Sequence, residues 1–313
     1  LWFERTQRER LQHPQVVWRV FRNWINPNLG KLALQDILGH HIADCLKAIT
    51  DGGAPTVAND ALRHIKKVLA YGVSMGFLQT NVAEAITHSQ VGNPERARER
   101  ALSLDEIHTL LKCMEVERSW FGRDNELAIR LLLLLGLRKG ELIRAKWSEI
   151  VFKGPVWRLP KERTKTGRSI QIPLPAVAVE HFEELQQRAC GSEWVLPARR
   201  RGKRRLGHIG PDTLNSALKK LPQGLENFTL QDLRRSMRTQ HSALGVRPEV
   251  AERCLNHKLR GILGVYDRYD FLPERRAALD QWSQVIERLD ADDMAGARAY
   301  YQMERVVKFN QLA

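Results

Sequence analysis

Residues 230–236 read LQDLRRS, 254–259 read CLNHKL and 265–270 read VYDRYD, which puts Arg234, His257 and Tyr266 within 33 residues. Upstream, LGLRKGELIRAKW at 135–147 carries Arg138, and RTKTGRSIQIPL at 163–174 carries Lys165. As chemistry these five form a set. Two guanidiniums suit the two non-bridging oxygens of a phosphate, because each presents planar paired donors and stays charged. A lysine beside two arginines gives up its proton more easily than a solitary one. A phenol with a pKa near ~10 attacks only when a base or strong phenolate stabilisation assists it. No Asp/Glu cluster suited to Mg²⁺ accompanies them, so phosphoryl chemistry is expected to need neither metal nor cofactor. Each residue alone is equally well a surface or core side chain; five in this order carry the reading.

The surrounding pattern is mainly helical. Glu126 to Leu135 predicts a buried helix stopped by Gly136, and Lys139 to Trp147 a second, with Arg138 in the turn between them. Residues 156–159 and 169–172 predict two strands, with Lys165-Thr166-Gly167 in the loop of that hairpin. Helices are expected over 211–221, 230–244, 248–256 and 273–289, and a shorter one from Ala297 to Val307. Ser103-Leu104-Asp105-Glu106 has the spacing of a capping box and marks the start of this domain. Gly92-Asn93-Pro94 and the charged run RARER make a linker before it.

The N-terminal part reads as all-helical. One helix is expected around Pro14 to Trp24, and a second carries Leu34, Ile37, Leu38, Ile42, Cys45 and Ile49 up to Asp51-Gly52-Gly53. A third runs from Ala58 toward Gly76 and presents Lys66 and Lys67 on its polar face. The expected organisation is an all-α domain over 1–92 and a linker over 93–100. A mainly α domain with a small β-sheet (α+β) follows over 101–290, then a helical tail over 291–313.

The 313 residues are ample for two cores, with 43% hydrophobic and 27% charged residues. The strongest apolar run, Leu131 to Leu135, is too short for a membrane span, and no secretory signal is visible. The chain opens on Leu1 rather than Met, which leaves room for an upstream segment. Cys45, Cys113, Cys190 and Cys254 form no CxxC pair, so reduced thiols in a cytoplasmic compartment are expected. The net charge of +14 calls for a polyanionic partner. Residues 195–238 hold 11 Lys/Arg against 3 Asp/Glu, so the excess gathers around the segment carrying Arg234.

Taken together, LGLRKGELIRAKW, RTKTGRSIQIPL, LQDLRRS, CLNHKL and VYDRYD resemble the tyrosine recombinases, also called the phage integrase family. The ending YDRYD followed by LPERRAAL is similar to the integrases of satellite phages and genomic islands. The resemblance covers nearly the whole chain and implies a SAM-like core-binding domain before a recombinase catalytic domain. It implies Tyr266 as nucleophile, Arg138 and Arg234 as phosphate clamps, Lys165 as general acid and His257 as a phosphate ligand. Lys161 competes with Lys165, and Tyr269 with Tyr266, at less fitting positions. Glu141 and Asp232 are expected to orient Arg138 and Arg234.

One position departs from the pattern: Gln231 stands where the family carries the histidine of His-x-x-Arg. Glutamine cannot take up a proton near neutral pH, so the tyrosine's proton is expected to pass to His257 or to water. The run Arg199, Arg200, Arg201, Lys203, Arg204 and Arg205 is expected to grip DNA phosphates, with Lys66 and Lys67 assisting. The implied partners are double-stranded attachment-site DNA, three further copies in a tetramer on DNA from a free monomer, a DNA-bending protein and an excisionase. The implied activity is integration or excision of a mobile element in the bacterial nucleoid. The rival readings are a type IB topoisomerase-like relaxing enzyme and a catalytically weak or inactive DNA-binding protein.

Overall fold

The computed structural model describes residues 2–6, 8, 11, 14–91, 98–199, 207–221, 224–257 and 269–312. The chain divides into two compact units, Leu1–Arg98 and Glu99–Ala313.

The first unit is all-helical among the described residues: α1 Trp2–Thr6, α2 Pro14–Val20, a π turn at Phe21–Ile25, α3 Asn26–Leu29, α4 Gly39–Asp51, α5 Pro55–Ser74 and α6 His88–Val91. Apolar residues three and four apart give α4 and α5 one stripe each. Ile42, Cys45, Leu46 and Ile49 face Ala58, Ala61, Leu62, Ile65 and Leu69 in one buried cluster. The expected helix from Leu34 starts five residues later. Residues 34–36 form a 3₁₀ turn, and Leu38 is extended with its N–H donated to His41 Nδ1 at 3.2 Å. Leu34 and Ile37 still pack on the core, but from outside the helix, which is why their spacing reads as helical.

The second unit is built around α9, Arg123–Leu135, in which every residue from Asn125 onward is buried. Before it come α7, Leu104–Val116, and α8, Arg118–Phe121. Ser103 caps α7 as expected: its Oγ accepts the Glu106 N–H at 3.2 Å, and Glu106 Oε2 accepts the Ser103 N–H at 2.9 Å. After α9 come α10, Lys139–Ile143, and an antiparallel sheet of β1 Ile150–Val151, β2 Val156–Leu159 and β3 Ile170–Pro173, in that spatial order. Val156 pairs with Pro173 and Leu159 with Ile170.

α10 is shorter than the expected helix to Trp147. Lys146 bridges to Trp194, while Val195 N–H donates to Ala145 O and Trp147 N–H to Glu193 O, so this backbone bonds across space instead of along a helix. Then follow α11 Ala176–Arg188, α12 Thr213–Lys220, α13 Leu230–Ala243, α14 Pro248–Cys254, α15 Leu272–Asp290 and α16 Met294–Leu312. The sequence reading has no counterpart to β1 or α11. Trp282 of α15 is fully buried and donates its indole N–H to Leu133 O at 3.1 Å, locking α15 against α9. The tail helix begins on its own unit: Ala297 is buried and Tyr301 donates to Gln240 Oε1 at 2.8 Å. No helix among the described residues is long and apolar enough to cross a membrane.

Candidate active site

The C-terminal end of α9 fixes the site. Gly136 takes a left-handed conformation (φ +57°), and a Cβ there would lie 2.2 Å from Met237 Sδ and 2.8 Å from a Leu255 methyl. Only glycine lets this turn approach α13 and the end of α14 so closely. The Gly136 carbonyl then accepts a hydrogen bond from Arg234 Nη1. Two residues on, Arg138 is the extended N-cap of α10. Glu141, itself buried, grips it twice: Oε2 accepts the Arg138 N–H at 2.9 Å and Oε1 the guanidinium Nη1 at 3.0 Å. The expected orienting role of Glu141 thus has a geometric basis.

Arg234 projects from the first turns of α13 and is only 3% exposed. Its Nη2 donates to Leu255 O and, at 2.9 Å, to His257 Nε2. Burial pushes its pKa down to about 10, and the positive charge of Arg138 pushes the same way. It remains protonated at neutral pH. Two like charges held in one partly desolvated place raise each other's energy, and an anion between them would relieve it. Asp232, expected to orient Arg234, bonds Thr229 and Arg235. Fully buried at N3 of α13, it turns back to accept from Thr229 N–H at 2.7 Å and Thr229 Oγ1 at 2.9 Å.

His257 is placed by the way α14 ends. Asn256 is left-handed (φ +50°), and the His257 N–H reaches back to Glu252 O at 3.0 Å, a wrapped C-terminus. The ring then lies between two partners, Glu252 Oε2 at 2.5 Å from Nδ1 and Arg234 Nη2 at 2.9 Å from Nε2. A guanidinium only donates and a carboxylate only accepts. Both bonds therefore require a neutral ring with its proton on Nδ1 and a lone pair on Nε2. Burial lowers the His257 pKa, Arg234 and Arg138 push the same way, and Glu252 opposes them without reversing the net fall. Glu252 is a residue that the sequence reading missed. Its only signal is an acidic side chain five residues before the histidine.

Lys165 lies exposed in the β2–β3 connection. That loop is tied down on both sides of the lysine. Arg163 bonds Glu141 O and the Glu149 carboxylate, and Thr166 Oγ1 reaches Asn256 Oδ1 at 3.4 Å. Lys165 is thus carried between the element holding Arg138 and the residue next to His257. Gln231 is exposed on the first turn of α13 and, with Arg234, Arg235, Arg238 and His257, lines a cavity of about 310 Å³. It also borders a groove of about 820 Å³ that Lys139, Asn215 and Lys219 line.

Tyr266 lies outside the described residues, as do Arg200, Arg201, Lys203, Arg204 and Arg205. Tyr269 is exposed, its hydroxyl donating to Glu274 Oε2 at 3.3 Å and its ring meeting Phe271 edge-on at 4.7 Å. Desolvation and Glu274 both raise its pKa, which disfavours its phenolate. Arg199 donates to Asn125 Oδ1 at 2.9 Å. Lys66 spends one N–H on Glu84 O at 2.9 Å, while Lys67 is exposed. No group of three or more metal-ligating side chains occurs among the described residues.

The chain as a whole has counterparts among known proteins. The phage integrase family matches residues 100–271, and the phage integrase central domain matches residues 1–89. The chain belongs to the phage integrase family, the tyrosine recombinases. Among curated relatives it is similar to prophage integrase IntA of Escherichia coli K12, 23% identical over 280 residues, covering 88% of this chain and 65% of that protein. Prophage integrase IntZ of the same organism is 28% identical over 269 residues, covering 85% of this chain and 64% of that one. The chain thus spans just under two thirds of the length of these two relatives. A lambda integrase tetramer bound to a Holliday junction shares the fold at a TM-score of 0.65 and 23% identity, over 86% of this chain and 75% of that one. The Tn1549 transposon integrase in complex with circular intermediate DNA does so at 0.63 and 15%, over 88% and 96%.

Proposed function

We propose that this protein is a site-specific DNA recombinase that cuts and rejoins strands through Tyr266. The observation that carries the reading is the pair of guanidiniums of Arg138 and Arg234, close enough to repel one another, beside a neutral His257 with its Nε2 lone pair turned toward Arg234. A scissile phosphate between them receives charge-assisted bonds that strengthen as negative charge builds on its equatorial oxygens. The Tyr266 oxygen attacks phosphorus, and the bond to the 5′ oxygen breaks. His257 Nε2 takes the phenolic proton, since Gln231 cannot, and Lys165 gives a proton to the departing oxygen. The product is a 3′-phosphotyrosine with a free 5′-hydroxyl. The bond energy is conserved, so the reverse attack by a partner strand's 5′-hydroxyl needs no ATP.

The similar proteins support the wider setting: two sequential exchanges through a Holliday junction in a tetramer, serving integration or excision of a mobile element. Gln231 favours one alternative, a DNA-binding protein that keeps the fold but cleaves poorly. A nicked suicide substrate separates the two. A denaturant-resistant protein–DNA adduct that disappears in Tyr266→Phe is the expected result, and absence of adduct at every salt concentration selects the binder.

A further inference from the structure

We propose that Glu252, itself held by Arg238, is a positioning residue that presents His257 to the nucleophile as a base, with its proton parked on Nδ1 and Nε2 open. This rests on the reading of His257 as acceptor of the tyrosine's proton. Glu252 divides its two oxygens: Oε2 meets His257 Nδ1 at 2.5 Å, and Oε1 accepts Arg238 Nε at 2.8 Å. One carboxylate is thereby fixed in direction from two sides. Burial alone would raise the Glu252 carboxyl, but the bonds from Arg238 and His257 outweigh it and hold the pKa below the ordinary carboxylate value. It is an anion at neutral pH.

The need for this partner follows from what DNA does to Arg234. Without a phosphate, Arg234 Nη2 donates to His257 Nε2 and by itself dictates which nitrogen is bare. A phosphate competes for those same N–H groups. Once Arg234 turns to it, nothing on that side prevents a proton on Nε2, the tautomer that cannot accept from a phenol. Glu252 maintains the required tautomer through that exchange, because only Nδ1–H satisfies its Oε2. The charged groups that bear on His257 among the described residues are Glu252 on its own helix, Arg234 on α13 and Arg138 before α10. Arg238 of α13 acts through Glu252. Of these only Glu252 raises the basicity of the ring, and Arg238 moderates how much.

The signs of two variants are therefore opposite. Glu252→Gln keeps an acceptor for Nδ1–H but removes the negative charge, so the His257 pKa falls. The acid limb of the cleavage pH profile should move to lower pH, and the plateau should drop by on the order of tenfold as the base weakens. Arg238→Gln leaves Glu252 more fully available to the imidazolium, so the same limb should move to higher pH. Both are measured as single-turnover adduct formation on a saturating suicide substrate. In parallel, ¹⁵N-histidine spectra of the full chain, with His257→Gln supplying the assignment, report tautomer and titration without any catalysis. The expected result is Nδ1–H in the wild type and the two displacements in opposite directions. An Nε2–H ring in the wild type overturns the proposal, whatever the variants do. So does an equal loss of rate at all pH values with an unmoved limb, which is what a merely structural carboxylate would give. If the wild type forms no adduct, the wider reading of the protein falls, and the imidazole spectra alone decide the pairing.

Discussion

Gly136 shows how much a single residue decides. Its left-handed turn supplies the carbonyl that holds Arg234, and its missing Cβ leaves room for Met237 and Leu255. Gly136→Ala should strain the backbone and push on two buried neighbours of Arg234, at a cost of about 2 kcal/mol. Urea unfolding should show a lower midpoint at unchanged slope, and adduct formation should fall further than the stability loss explains. At Gln231 the prediction runs the other way. Gln231→His places a titratable base on the exposed first turn of α13 and should speed cleavage, while Gln231→Ala should slow it if the amide holds a phosphate oxygen. Equal rates for Gln231→Ala and wild type would remove Gln231 from the mechanism. Arg138, Arg234 and His257 were legible because each sits in a short local motif. Glu252 was not, because a glutamate five residues before a histidine reads as helix-surface charge. Its meaning depends on Arg234, 18 positions away in sequence, occupying the other ring nitrogen.

At the scale of elements, what the chain codes locally was readable and what it settles across space was not. The capping box at Ser103 stands as its spacing predicts, and Ser103→Ala should cost about 1 kcal/mol. α10 was misjudged because residues 145–147 bond to 193–195, a pairing that no local pattern announces. β1 was missed because its two residues, paired with Trp157 and Val156, are too few to show an alternation. α11 is a different case. Ala178, Phe182 and Leu185 are its buried residues, so its stripe was available in the sequence. The capping box also carries a pH dependence. Arg100 hydrogen-bonds the Glu106 carboxylate and holds its pKa down to about 2, against 4.5 for a free glutamate. A depressed carboxyl contributes stability that is whole above the unfolded value and is lost as pH falls through the folded one. The second unit should therefore lose stability between pH 4.5 and about 2 through this residue. Glu106→Gln should be less stable near neutrality and flatter across that window, as followed by unfolding free energy against pH. An unchanged acid limb in Glu106→Gln would place the acid sensitivity elsewhere.

For the whole molecule, the sequence states a charge of +14 and where it gathers, but not which cations are free to meet DNA. The structure begins to sort them. Arg199 is committed to Asn125 at the start of α9, with Asp124 Oδ2 3.9 Å away, and Lys66 gives one N–H to the Glu84 carbonyl. Lys139 and Lys219 line the groove that runs to Gln231. A cation held by its own protein contributes to stability, whereas one that meets a phosphate releases a counterion and steepens the salt dependence of binding. The two outcomes separate in one experiment. Replacing Arg200, Arg201, Arg204 and Arg205 together by glutamine should reduce the slope of log Kobs against log salt by about 0.9 for each phosphate left unneutralised. The weakening should be alike for attachment-site and unrelated duplexes, because backbone-binding cations position the protein without reading sequence. Lys219→Gln, facing the groove, should reduce the slope by no more than the share of a single phosphate. Arg199→Gln should leave the slope where it was and lower the unfolding midpoint instead, because its guanidinium stabilises the start of α9. If the quadruple variant kept the wild-type slope while Arg199→Gln reduced it, the run beyond Arg199 would be solvated surface, and the grip on DNA would lie with the side chain that the fold already holds in place.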